Sequence, residues 1–261
     1  MREETCEDPA VRIWLGVVAS LAWAGTALAA DEGTCDTAKH LVASEVLLPR
    51  VAAAISKQHI LKVVVLGTGS SILPPPAGEA AAYPARLEAA LMSRLPAVAV
   101  KVVPDVKLRK TAAGLKAEEF ERITVDEKPA LVVWQTGTVD AVRGIDPDDF
   151  RATLEKGVEA LHANGADVIF VNMQYSPRTE SMIAAAVYAD NMRLAAMQQE
   201  VPLFDRFAIM KYWSELGTFD LHAASKNADT AARVHDCIGR LLAGLVVDAS
   251  KAEPEPRPET R

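Results

Sequence analysis

The sequence predicts an α/β fold, a three-layer sandwich with a central parallel five-stranded sheet flanked by helices. Three observations carry this. Short continuous apolar runs, Leu61–Leu66 the clearest, recur along the chain and read as strands buried on both faces. The best of these runs end abruptly in Gly-, Ser- or Thr-bearing turns, as at Gly67-Thr68-Gly69-Ser70-Ser71 and Gln135-Thr136-Gly137-Thr138. Amphipathic segments separate the runs, and strands alternating with helices build a parallel sheet covered on both sides.

The elements follow in order. Ala38–Ser56 carries Leu41, Leu48, Val51 and Ile55 on one stripe and predicts an amphipathic helix interrupted or kinked at Pro49. The first strand is Leu61–Leu66. Ser70–Ala82, with Pro74-Pro75-Pro76 and Gly78, reads as a stiffened loop. A helix over Pro84–Leu95 presents Leu87, Leu91 and Leu95, and the valine-rich Ala97–Val103 is a second strand. Thr111–Ile123 is a short helix, Ala130–Trp134 a third strand. Asp146-Pro147-Asp148-Asp149 is a helix start, with an N-cap aspartate and proline at the first helical position, and that helix runs to Ala163. Ala166–Val171 is the fourth strand. Ser176-Pro177 repeats the device and opens a helix to about Gln199. Val201–Phe204 is a short fifth strand, Arg206–Leu216 is partly helical, and a last helix covers roughly Thr230–Val247.

Three regions are expected. Residues 1–30 read as a signal peptide: Arg12 precedes an apolar block, Ile13–Ala27, and Leu28-Ala29-Ala30 supplies small residues for cleavage. The acidic Glu3, Glu4, Glu7 and Asp8 fit such a leader badly, which leaves an uncleaved anchor as the alternative. Residues 31–249 form one domain. Residues 250–261, with Pro254, Pro256 and Pro258, have nothing to bury and are expected to be disordered. Export places the domain in the periplasm or outside the cell. There Cys6 is lost with the leader, and Cys35 and Cys237 are expected to pair rather than stay as buried thiols. Closing so long a loop stabilises by on the order of 4–5 kcal/mol before strain is subtracted.

Composition excludes some functions. A net charge of -7, with no basic run or aromatic platform, argues against nucleic acid. The five histidines are dispersed and the cysteines far apart, so no metal or other cofactor is expected. No stable membrane span is expected after cleavage.

In a parallel sheet, the loops after the strands converge beyond their carboxyl ends. That gathers Gly67–Ser71, the segment after Val103, Gln135–Asp140, Asn172–Ser176 and Phe219-Asp220-Leu221-His222. The stretches Val63–Ser71, Tyr83-Pro84-Ala85-Arg86-Leu87, Leu131–Thr138, Gln174-Tyr175-Ser176-Pro177 and Phe204–Met210 together resemble the SGNH (GDSL-like) hydrolase superfamily, in its exported bacterial members. The resemblance covers most of Leu61–Leu245. It implies a serine nucleophile, an oxyanion hole including a glycine and an asparagine, and an Asp-x-x-His pair acting on acyl esters.

The motifs depart from that pattern. Gly69 stands at the nucleophile position and Val139 at the oxyanion asparagine, while Asp220 precedes His222 by two residues instead of three. Two readings follow. In the first, an ester hydrolase or acyltransferase uses Ser70 (or Ser71) as nucleophile, His222 as base and Asp220 to orient it. Gly67, Gly69, Ser71, Thr138 and Gln174 then serve the oxyanion or the ligand. In the second, the cleft only binds a small-molecule or carbohydrate ligand of the cell envelope. Lys107, Arg109 and Lys110 favour an anionic ligand if they overhang the edge. His235, inside the last helix, reads as a core histidine more readily than as a base.

Overall fold

A computed structural model describes residues 35–75, 77–222 and 227–251. The predicted signal peptide, and the predicted tail from Ala252 onward, lie outside the described residues.

Five parallel strands form one sheet: β1 (Ile60–Gly67), β2 (Ala99–Val106), β3 (Leu131–Gln135), β4 (Asp167–Val171) and β5 (Leu203–Phe204), in the order β2-β1-β3-β4-β5. The described helices are α1 (Pro49–Ala53), α2 (Gly78–Ala81), α3 (Tyr83–Arg94), α4 (Ala117–Arg122), α5 (Thr138–Arg143), α6 (Pro147–Ala163), α7 (Pro177–Met182), α8 (Ala185–Gln198), α9 (Arg206–Glu215) and α10 (Ala228–Ala249). In one layer α3 packs on β2 and α10; in the other α6 packs on β4, α4 and α8. Every residue of β3 and β4 is buried, which accounts for the apolar runs at 131–134 and 168–171; the polar Gln135 and Asp167 at the strand ends are buried with them. The α6 layer comes close at Gly157, where a Cβ would fall 2.3 Å from the Trp134 ring. Glycine at this position leaves room for the largest core side chain of β3 against the helix.

The order of strands places β1 and β3 side by side while their connections leave in opposite directions. A sheet of this kind opens a crevice at that reversal, beyond the carboxyl ends. Gly67–Ser71 leaves β1 there as a single 3-10 turn, and Gln135–Thr138 leaves β3 beside it.

Several elements depart from expectation, each for a local reason. Pro49 does not kink a long helix; it is the first residue of α1. The cap comes from the distant Asp167, whose carboxylate accepts the backbone N–H groups of Arg50 and Val51 at 2.8 and 3.0 Å. Within the predicted Ala38–Ser56 helix, the residues before Pro49 form no α-helix; they contain a turn of 3-10 helix, Lys39–Leu41. The loop after β1 contains the short α2, and the helix expected at Thr111–Ile123 is a 3-10 turn followed by α4. The helix opened by Ser176-Pro177 breaks at Ile183 and Ala184 into α7 and α8. The second strand starts later and runs through Pro104 to Val106, which an edge strand tolerates because that N–H need not pair. Helix α6 begins at Pro147 and ends at Ala163 as its signals require, with Asp146 Oδ1 accepting from Asp148 and Asp149.

Cys35 and Cys237 are joined by a disulfide spanning 202 positions. Asp36 also accepts from the Trp213 indole at 2.9 Å, so the start of the described chain is fixed to α9 and α10. Among the described residues no helix is long and apolar enough to cross a membrane.

Candidate functional site

A cleft of about 850 Å³ lies where the post-strand segments converge. Segments after all five strands border it, and α10 closes the remaining side with Val234, His235 and Ile238.

Its floor is a buried hydrogen-bond hub. Gln135 Oε1, at the end of β3, accepts from the Thr68 N–H, the Thr68 hydroxyl and the Ser71 hydroxyl, each at 2.9 Å. Ser71 in turn lies 3.0 Å from the Tyr83 phenol; with its own proton given to Gln135, it accepts from Tyr83. One β3 side chain thus fixes the β1 turn, and does so at the sheet's crevice. Burial raises the Tyr83 pKa, so the phenol stays protonated and donates. Asp140 stiffens the neighbouring turn: its carboxylate accepts the Ala112 N–H at 2.8 Å, and burial raises its pKa.

Arg206 is the site's principal charge. It is the first residue of α9 and only 2% exposed. Its Nε donates to the Asn172 carbonyl at 3.1 Å, Nη1 to the Ser70 carbonyl at 3.2 Å and Nη2 to the Ser70 hydroxyl at 3.1 Å. No carboxylate pairs with it among the described residues. Its neighbour Asp205 is committed elsewhere, capping α9 at the Ala208 N–H and binding Arg193. Burial pushes the guanidinium pKa down to about 10, so it stays charged at neutral pH. A buried cation without a counter-charge costs several kcal/mol of solvation, only partly returned by the dipoles of its carbonyl and hydroxyl partners.

His235 adjoins this charge. Its Nδ1 accepts the Tyr83 N–H at 3.0 Å, which puts its proton on Nε2. Burial, then the Arg206 charge, pushes its pKa down to about 3. It is a fixed neutral donor.

The structure distributes the sequence candidates as follows. Ser70, Gly69, Thr138, Gln174 and His222 all border the cleft. Ser71 is fully buried in the hub. Gly67 lies at the end of β1, where Ser71 packs so closely that a Cβ would sit 2.3 Å from its hydroxyl oxygen. The Thr138 hydroxyl is buried with no partner among the described residues. Asp220 accepts the backbone N–H of His222 at 3.1 Å, and the exposed His222 ring makes no hydrogen bond to Ser70. Of the three basic residues after β2, Lys107 pairs with Asp105 and Lys110 with Glu119, while Arg109 borders the cleft.

Sequence reading missed Arg206. The one available signal was its place two residues after β5, in the kind of segment from which the other strands also deliver cleft residues.

A family model described as non-GDSL lipase-like matches residues 34–252. Among curated proteins none matches. The fold is similar to those of several solved structures. TesA is 20% identical at a TM-score of 0.54, covering 70% of this chain and 99% of that one. A catalytic mutant of Axe2, an acetylxylan esterase from Geobacillus stearothermophilus, is 19% identical at 0.55, covering 74% and 95%. CEX, a two-domain esterase active on acetylated mannans, is 15% identical at 0.58, covering 83% and 59%.

Proposed function

The chain belongs to the non-GDSL lipase-like family, and from that membership we propose that it is an exported protein whose cleft holds an acyl-bearing ligand without cleaving it through Ser70. The observation that carries this is the bond from Arg206 to the Ser70 hydroxyl. Nucleophilic attack requires a base within hydrogen-bond reach to take the serine proton. The only group bonded to Ser70 Oγ among the described residues is a guanidinium, which cannot accept one. A nearby cation would stabilise an alkoxide once formed, but no described group bonded to Ser70 Oγ can take its proton. His235 has its one acceptor nitrogen occupied by the Tyr83 N–H and a pKa near 3, so it is no substitute base. Gly69 offers no nucleophile, and Val139 has no side-chain amide to donate to an oxyanion.

The acyl character of the ligand is supported by the family and by structures of similar fold named as esterases for acetylated polysaccharides. Export is supported by the predicted leader and by the disulfide, which persists in oxidising compartments.

One observation favours the second reading, ester hydrolysis by Ser70, His222 and Asp220: Ser70 and His222 border the same cleft. Turnover of p-nitrophenyl acetate and butyrate by the oxidised protein decides between them. The holding function predicts rates indistinguishable from those of Ser70→Ala. Turnover abolished by that substitution and by His222→Ala establishes the hydrolase instead.

A further inference from the structure

Resting on the holding function and deepening it, we propose that the ligand is an alkyl carboxylate whose oxygens are received by Arg206 and Ser70. Three independent features of the cleft point to this. The first is charge. In a chain with 35 acidic and 28 basic residues, the described residues lining the cleft include Arg109, Arg178 and Arg206 but not one Asp or Glu. Arg109 and Arg178 are exposed on the rim, and neither has an ion-pair partner among the described residues. Arg109 is held with φ at 60°, a conformation costly for a residue with a side chain. A concave, low-dielectric surface lined by one sign of charge concentrates ligands of the other.

The second is donor geometry. Three of the five N–H groups of Arg206 donate to protein oxygens, which leaves two with no acceptor among the described residues. Because Ser70 Oγ accepts from Arg206, its own O–H is left to donate. A planar carboxylate suits such a set, since guanidinium recognises it through paired hydrogen bonds. The ligand would supply the counter-charge that this buried cation lacks.

The third is the apolar wall. Ile72, Leu73 and Met210, with Val234 and Ile238 from α10, line the same space, so the occupant has a hydrocarbon body beside its charged end.

The test is calorimetric titration of the full, oxidised chain at low salt with octanoate, octanol and octylamine. Octanoate is expected to bind at least about tenfold more tightly than octanol, and octylamine not to bind. Replacing the two rim arginines together (Arg109→Ala with Arg178→Ala) should weaken octanoate about 3- to 10-fold and leave octanol and the urea midpoint unchanged. Equal affinity for octanoate and octanol, no octanoate binding at millimolar concentration, or an unaffected double variant each overturns the inference. The two proposals fail separately. Ester turnover through Ser70 overturns the holding function whatever octanoate does. A chain with neither turnover nor octanoate preference overturns the carboxylate assignment alone.

Discussion

Replacing Gln135 by leucine tests whether one side chain organises the cleft floor. Gln135 is 1% exposed, and its carbonyl oxygen is the shared acceptor for one backbone N–H and two hydroxyls. Leucine fills a similar volume but accepts nothing. A buried donor left unsatisfied costs about 1–3 kcal/mol, and the Thr68 N–H cannot rotate to find another partner. The two hydroxyls can turn, Ser71 toward Tyr83, which recovers part of their loss. Against this, Gln135 Nε2 is itself buried without a partner among the described residues, and the substitution removes that penalty. The lost N–H bond and the partly recovered hydroxyls cost about 2–6 kcal/mol together and the relief of Nε2 returns about 1–3, so the net cost is about 1–3 kcal/mol. In a domain of this size, each kcal/mol moves Tm by about 2–4 °C, so a fall of roughly 2–12 °C is expected in a thermal scan. Urea titration should give the same loss with an unchanged slope. A loss below about 0.5 kcal/mol, the size of an ordinary surface substitution, would refute the hub.

Two further outcomes follow from the same geometry. Gly67→Ala drives a Cβ to 2.3 Å from the Ser71 hydroxyl and should cost about 2–4 kcal/mol, whereas Gly69→Ala, whose Cβ meets only Leu108 at 3.8 Å, should stay within about 0.5 kcal/mol; paired urea midpoints check the contrast. His235 is neutral when folded, with its pKa at about 3 against 6.5 for the free side chain. Protonation therefore favours the unfolded chain. Its contribution is complete above pH 6.5 and drains away as pH falls toward 3, by about 3 kcal/mol between pH 7 and pH 4. His235→Asn keeps an acceptor for the Tyr83 N–H without titrating. It should flatten the acid limb by about that amount, and an unchanged limb would contradict the assignment.

The strands were legible because parallel, doubly covered strands are written as unbroken apolar runs, and the convergence of their loops follows from parallel topology alone. Helix α6 was legible to the residue because its cap, Asp146, is local. The start of α1 at Pro49 was not, because the carboxylate that caps it belongs to Asp167, 117 positions beyond the Arg50 N–H it accepts. Nothing in the residues around Ile183 marks the break between α7 and α8; no proline or glycine stands there. In the site, the loops and the cleft-facing Ser70, Thr138, Gln174 and His222 came from sequence. The partition of the two serines did not: Ser70 and Ser71 are chemically identical neighbours, and only the 3-10 turn sends one to Gln135 and the other to Arg206. Arg206 itself was hidden because an arginine beside an aspartate reads as a local surface pair. Here Asp205 turns to Arg193 and the guanidinium turns inward.

Whether the Ser70 hydroxyl is held or reactive is answered most directly by intact-mass and peptide analysis after incubation with an alkyl fluorophosphonate. An Arg206-bonded hydroxyl with no base predicts an unmodified Ser70 after exposure that fully labels a serine esterase run alongside. A stoichiometric phosphonyl adduct on Ser70 would contradict it.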